Sequence, residues 1–275
     1  MGLSTYLVFG DLHGRVLPAF KLAQAWAREH GVAVAGLLQV GDLGDFPDEG
    51  AKGGGRKDAL ENGMRLVAQP SEEADAVFAE SGCPAALWYT AGNHEDYELL
   101  AAWERGAGRD ADSFAGDAYG RLRCIRDGRV AALPGGLRVG ALWGVDPRTR
   151  RRIPPRSRIS QRSATALSAA AFDVLLAHES PSDAIHADSG STAIGDVIRA
   201  ACPAFAFFGH YHGTGRKVEG DFGPTRVYHL SHLELDSRAE EGSVGVLTWG
   251  EGGSDFAYLD PAWLRTVTRH NWKSR

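Results

Sequence analysis

Five short polar motifs punctuate the chain: Gly10-Asp11-Leu12-His13-Gly14, Gly41-Asp42-Leu43-Gly44-Asp45, Gly92-Asn93-His94-Glu95, Ala177-His178-Glu179 and Gly209-His210-Tyr211-His212-Gly213. Their side chains are of metal-ligating types. Carboxylates are hard donors, and neutral imidazoles suit Zn, Fe or Mn. Asp11 and His13 stand two apart, as do His210 and His212. Residues at i and i+2 of an extended backbone point to the same side, so each pair can chelate one ion from one loop. No cysteine joins the set, which disfavours a structural zinc site. Taken singly, each motif has a plain structural reading as a cap, a polar turn or a satisfied core histidine. Together, in this order, they point to one shared site.

The elements that must position them can be read from hydrophobic patterning. Near-continuous apolar runs at 7–9, 37–40, 87–90, 174–177 and 205–208 each end immediately before a motif and read as buried strands. In an αβ sheet the carboxyl ends of the strands share one edge, where ligands bind, and the adjacent glycines let the backbone turn sharply there. Residues 16–30 place Leu17, Phe20, Ala23 and Ala27 on one helical face, with Gly31 as a stop. Further helices are expected over about 58–80, interrupted by Pro70, from about Glu95, and over 192–201. β-like alternation over 121–144 turns at Pro134-Gly135-Gly136, and strands close the chain at 226–231, 243–249 and 255–259. The pattern predicts an α/β fold of two packed sheets with helices outside. With no repeat and no linker-like composition break, residues 1–275 read as one domain.

Composition sets the outer bounds. The chain has 275 residues, 43% hydrophobic and 24% charged, with formal net charge −5, which excludes a disordered or fibrous chain. No apolar run reaches the roughly 18 residues of a transmembrane helix. The first apolar stretch is too short for a signal-peptide core. Cys83, Cys124 and Cys202 are widely separated and suit reduced thiols, so a cytoplasmic location is expected. Two surface loops stand out, at about 47–57 and 147–162. The first is glycine-rich and partly basic. The second carries Arg148, Arg150, Arg151, Arg152, Arg156, Arg158 and Arg162 without an acid over 148–162, and its Pro154-Pro155 pair predicts an extended path. That +7 segment leaves −12 on the rest of the chain: an acidic body with one basic loop.

The series Asp-x-His, Gly-Asp-x-x-Asp, Gly-Asn-His-Glu, single His and Gly-His-x-His, running from Gly10 to Gly213, resembles the calcineurin-like metallophosphoesterases. The resemblance implies a β-sandwich of two mixed sheets flanked by helices. It implies a first metal held by Asp11, His13, Asp42 and His212, and a second by Asp42, Asn93, His178 and His210, with Asp42 bridging. His94 is implied as the outer-sphere acid that protonates the leaving oxygen, with Glu95 supporting it at the start of a helical turn. The cofactors expected are two divalent ions, Mn or Fe first and Zn as the alternative. Such a pair neutralises an anionic ester, lowers the pKa of a water and clamps the attacking and leaving oxygens.

Substrate class is narrowed only a little. Gly-Asp-x-x-Asp with Gly-Asn-His-Glu is similar to the branch of Ser/Thr protein phosphatases and diadenosine tetraphosphate hydrolases, in which an Arg follows the second Asp. Here Phe46 stands in that place. The His178-Glu179-Ser180-Pro181 segment is similar to bacterial phosphodiesterase-type members and partly to lariat debranching enzymes. The expected substrate is a phosphodiester or nucleotide, among phosphorylated small molecules and nucleic acids, with Arg150, Arg151 and Arg152 as candidate phosphate contacts. No membrane and no obligate protein partner is indicated. A phosphomonoesterase of the protein phosphatase-like branch is the alternative, and a non-catalytic scaffold on the same fold the rival from another class. His229 and His232, about 20 positions after the last motif, are candidates to face substrate.

Overall fold

The structure is a computed structural model and describes residues 2–44, 62–147, 154–182, 184–185, 189–211, 219–233, 235 and 241–275. Asp45, the loop at 47–57, Arg148, Arg150, Arg151, Arg152 and His212 lie outside the described residues.

Two mixed sheets face each other. The first is built from β1 (Ser4–Phe9), β2 (Val34–Gln39), β3 (Leu87–Tyr89), β4 (Ser113–Ala115), β5 (Leu122–Ile125), β12 (Val244–Trp249) and β13 (Asp255–Tyr258), in the order β13-β12-β1-β2-β3-β5-β4. The second is built from β6 (Val130–Ala132), β7 (Arg138–Leu142), β8 (Val174–Ala177), β9 (Phe205–Phe208), β10 (Glu219–Phe222) and β11 (Thr225–His229), in the order β10-β11-β9-β8-β7-β6. β1, β2, β3 and β5 are parallel in the first sheet, and β7, β8, β9 and β11 in the second. The carboxyl ends of these central strands converge at one edge of the sandwich.

The five apolar runs are strands because both of their faces are covered. Tyr6, Val8, Leu38 and Val40 meet Val139, Leu176, Phe205 and Phe207 between the sheets. Leu7, Phe9 and Leu37 point outward against α1 (Val16–His30) and α2 (Glu72–Ala79). The third motif is followed by α3 (Tyr97–Gly106). On the far side, Leu175, Ala206 and Phe208 are covered by α4 (Gln161–Ser168) and α5 (Thr192–Ala201). Each fully buried large apolar side chain is worth about 1.5–3 kcal/mol. Helix α1 buries Leu17, Phe20 and Ala23 and ends at Gly31, whose left-handed backbone returns its N–H to Ala27. Pro70 separates a one-turn helix (Arg65–Ala68) from α2, and Ser71 caps α2 by accepting the Ala74 N–H.

The path of the arginine-rich loop differs from expectation at its C-terminal end. Pro155–Ser157 forms a 3₁₀ turn rather than extended chain, and α4 begins at Gln161, with Ser160 accepting the Ser163 N–H as its cap. Glu95 is not part of a helical turn: Asp96 is the cap of α3, and its carboxylate accepts from the N–H groups of Glu98 and Leu99.

Candidate metal centre

Asp11 follows β1, Asp42 follows β2, Asn93 and His94 follow β3, His178 follows β8 and His210 follows β9, so each described motif stands at the shared edge. Two ligand clusters form there, Asp11–Asp42–His178 and His13–Asp42–His94, with one donor atom from each member lying within 4.8 Å of the others. Asp42 belongs to both.

The buried half of the site is tightly determined. Asp11, Asp42 and His178 are essentially inaccessible. His178 Nδ1 lies 3.1 Å from the Val40 carbonyl and donates to it. That leaves Nε2 facing Asp42 Oδ1 at 3.2 Å and His210 Nδ1 at 3.2 Å. A backbone carbonyl that holds the distal ring nitrogen is the usual support of a metal-binding imidazole. The Asp42 Oδ1 atom also accepts the His94 N–H at 2.7 Å, so the third motif is docked onto the second. His13 Nε2 is 4.0 Å from Asp11 Oδ2, and the His13 and His94 rings meet edge to face at 5.2 Å. The His210 N–H donates to Asp11 Oδ1 at 3.3 Å.

Charge concentrates in this space. Burial pushes the Asp11 carboxyl up, with neighbouring Asp42 adding to the effect and His178 opposing it. Burial would raise Asp42 too, but the adjacent His178 outweighs it and holds Asp42 well below the usual carboxylate range. Burial would lower His178, yet the Asp42 and Asp11 carboxylates push it up to about 10. Two buried acids thus collect positive charge wherever it is offered.

Close approach requires glycine at two of these turns. A Cβ on Gly92 would stand 2.2 Å from Asp42 Oδ1 and 2.7 Å from His178 Cδ2, and one on Gly209 would stand 2.2 Å from Asp11 Oδ1. The supports come from the same motifs. Glu95 Oε1 accepts the Leu43 N–H at 2.9 Å, tying the third loop to the backbone beside Asp42. Tyr97 Oη donates to the Gly92 carbonyl at 2.6 Å, and burial pushes its phenol well up, so it remains a donor.

The residues fit a divalent-cation centre. The donor set is carboxylate, imidazole and amide oxygen. The Asn93 Oδ1 atom is buried without a hydrogen-bond partner among the described residues, as an oxygen meant for a cation would be.

Of the residues expected at the site, the structure therefore brings together Asp11, His13, Asp42, His94, Glu95, His178 and His210, with Asn93 adjoining His94 in the chain. His229 is buried at the end of β11, with its ring 5.4 Å from Phe208 and 6.4 Å from Tyr211. His232 lies on the segment that passes the site, where the Leu233 N–H donates to the Asp11 carbonyl at 2.9 Å. Motif reading did not anticipate the Tyr97 contact. Its only sequence signal is an aromatic residue three positions after His94.

A sandwich of two mixed sheets with helices on both outer faces and metal-ligand types at the strand ends is the arrangement that the resemblance to the calcineurin-like metallophosphoesterases implies. One solved crystal structure aligns with 94% of this chain and 100% of its own at 14% identity and TM-score 0.58. TT1561 of Thermus thermophilus aligns over 94% and 99% of the two chains at 11% identity and TM-score 0.53. At these identities the likeness is one of fold. A 5'-nucleotidase from Candida albicans aligns over 98% of this chain but 54% of its own, at 12% identity and TM-score 0.47. No protein-family model and no curated protein matches the chain.

Proposed function

We propose that this chain is a metal-dependent hydrolase of phosphate esters, acting on a phosphodiester or nucleotide. The observation that carries the reading is the shared carboxylate: Asp42 is common to two clusters of ligand atoms at one strand-end edge. A carboxylate has a free oxygen for each of two cations, whereas a neutral imidazole has one lone pair. Asp11, His13, Asp42 and His212 would hold one divalent ion, and Asp42, Asn93, His178 and His210 the other, a division that cuts across the two clusters, since Asp11 and His178 share one of them and His94 belongs to the other. Bound there, Mn or Fe, or alternatively Zn, would neutralise the ester and activate a water for in-line attack.

The chain's own groups do the rest. His94, whose backbone N–H donates to Asp42, would give a ring proton to the leaving oxygen as the ester bond breaks. Glu95 holds the Asp42 turn, and Val40 holds the His178 tautomer. The preference for a larger anionic substrate rests on the stem of the arginine-rich loop. The Gly144 N–H donates to the Ala91 carbonyl next to the third motif, and Val145 pairs with Ser157 and Ile159 through hydrogen bonds of 2.9 and 3.2 Å. The loop thus leaves and returns beside the candidate centre, with Arg156 and Arg158 exposed there. Arg150, Arg151 and Arg152 are proposed to contact further phosphates. The three free cysteines support a reducing, cytoplasmic setting, and no helix among the described residues is long and apolar enough to cross a membrane.

The test is metal analysis of purified protein followed by hydrolysis assays with added Mn on aryl monoesters, aryl diesters, cyclic nucleotides, dinucleoside polyphosphates, phosphopeptides and short RNA or DNA. Turnover of diesters or nucleotides above monoesters is expected. Preference for phosphopeptide or aryl monoester would replace the diester reading with that of a phosphomonoesterase. A protein with neither bound metal nor Mn-stimulated hydrolysis would be a scaffold. His94→Ala should keep its metals and lose about 10²–10⁴ in rate. Neutralising Arg150, Arg151 and Arg152 should raise KM for the nucleotide while sparing a small aryl phosphate.

A further inference from the structure

His178 and His210, on adjacent strands β8 and β9, are each followed by a residue to which the reading above gives no task. Glu179 is fully buried. Its Oε1 accepts the Ser180 N–H at 3.0 Å and also the Tyr211 hydroxyl. The Tyr211 oxygen in turn accepts from Ser180 Oγ at 3.4 Å. One acid–phenol bond therefore joins the two loops, one residue beyond each histidine. The loops are also joined on the other side of the histidines, where the Gly209 N–H donates to the His178 carbonyl at 3.1 Å.

The bond has a specific conformational job available to it. His210 is left-handed, with φ 73°. For a residue with a Cβ that conformation is strained and persists only where the surroundings over-determine it. The Tyr211 N–H already donates to the Gly209 carbonyl at 2.9 Å, and the Tyr211 ring stands edge-on to the His210 ring at 5.2 Å. Anchoring the Tyr211 hydroxyl on Glu179 closes the remaining freedom, and His210 Nδ1 is then held 3.2 Å from His178 Nε2. If Glu179 served only its own turn, the Ser180 N–H would be enough.

We propose that Glu179 and Tyr211 are a positioning pair that locks His178 and His210 into a single cation-binding unit. This rests on the reading of the edge as a divalent-cation centre. It extends that reading to two residues outside its proposed ligand set.

The test is Mn binding by calorimetry to the full chain and three variants, with kcat and KM on the best substrate of the panel. Tyr211→Phe keeps the ring packing and removes one hydrogen bond. It should fold normally by circular dichroism, bind Mn about 10–100-fold more weakly, and recover kcat as Mn is raised, with KM for substrate little changed. Glu179→Gln, whose amide oxygen still accepts both bonds, should retain most of the affinity, and Glu179→Leu should not. Wild-type Mn affinity in Tyr211→Phe and in Glu179→Leu would overturn the pair while leaving the centre intact. Absence of Mn binding in the unmodified chain would overturn the centre itself, and the pair with it.

Discussion

Among the described residues, left-handed backbone at the strand-end edge falls on candidate ligand residues as well as on glycines, whereas on the rest of the surface it falls almost wholly on glycine. At the edge it falls on His13, Asp42 and His210, with φ of 43°, 54° and 73°, alongside Gly14, Gly41 and Gly44, with φ of 82°, 99° and 86°. At turns elsewhere it falls on Gly31, Gly120, Gly128 and Gly223, with φ of 64°, 66°, 72° and 63°. Glycine adopts this conformation without penalty, so the peripheral turns are relaxed. The edge accepts strain at its three non-glycine positions, which carry a candidate ligand side chain as well as a turn. Glycine also serves close approach at the edge: Gly92 and Gly209 make room for Asp42 and Asp11. Cys202, with φ 47°, is the one non-glycine of this kind among the described residues away from the edge; it closes α5 by returning its N–H to the Ile198 carbonyl, the role Gly31 fills for α1.

Four substitutions probe this contrast, in decreasing order of effect. Gly92→Ala places a methyl against Asp42 and His178; a displacement of about 1 Å there should lower kcat/KM about 10²-fold. Near wild-type turnover would mean that Asp42 is not held as closely as the geometry implies. His229 is the next probe, because burial pushes it down to about 4 from an ordinary value near 6.5. The unfolded chain binds this proton first, so stability is full above pH 6.5 and falls as pH drops toward 4, by up to about 1.4 kcal/mol per unit. The ring faces Phe208 and Tyr211, with His178 as a nearby charge. His229→Phe should flatten that slope in denaturant titrations between pH 6.5 and 4, and an unchanged slope would assign the loss to other groups. Away from the edge, Cys202→Gly should stabilise the fold by about 1 kcal/mol with kcat unchanged. A loss of stability would show that the cysteine is there for packing. Smallest of all, Gly106→Ala in open space at the end of α3 should add roughly 0.5–1 kcal/mol by denaturant unfolding, again without effect on turnover.

The strands that lead into the site could be read from the chain because they are covered on both faces and therefore continuously apolar: 37–40 and 205–208 needed no partner to be recognised. Helix α1 was legible from its single apolar face and Gly31. The edge strands β4 and β10 were not. Ser113–Ala115 is too short to show a pattern, and Glu219–Phe222 contains Gly and Asp, which disfavour strands; each is extended through antiparallel pairing with a neighbour, β5 or β11. Helix α4 was hidden in the arginine-rich segment because its start depends on the cap at Ser160 rather than on composition.

For the candidate site, the sequence by itself determined the ligand types, their order and their place after strands, since these follow from residue chemistry and local periodicity. Only the tertiary structure decided which of them meet. That Asp42 joins two clusters, that Val40 sets the His178 tautomer, that Glu95 supports the Asp42 turn instead of a helix, and that Glu179 reaches Tyr211 across two strands are all contacts between residues distant in the chain. Such contacts arise from parallel pairing and from two sheets packed face to face, and neither leaves a trace in local spacing.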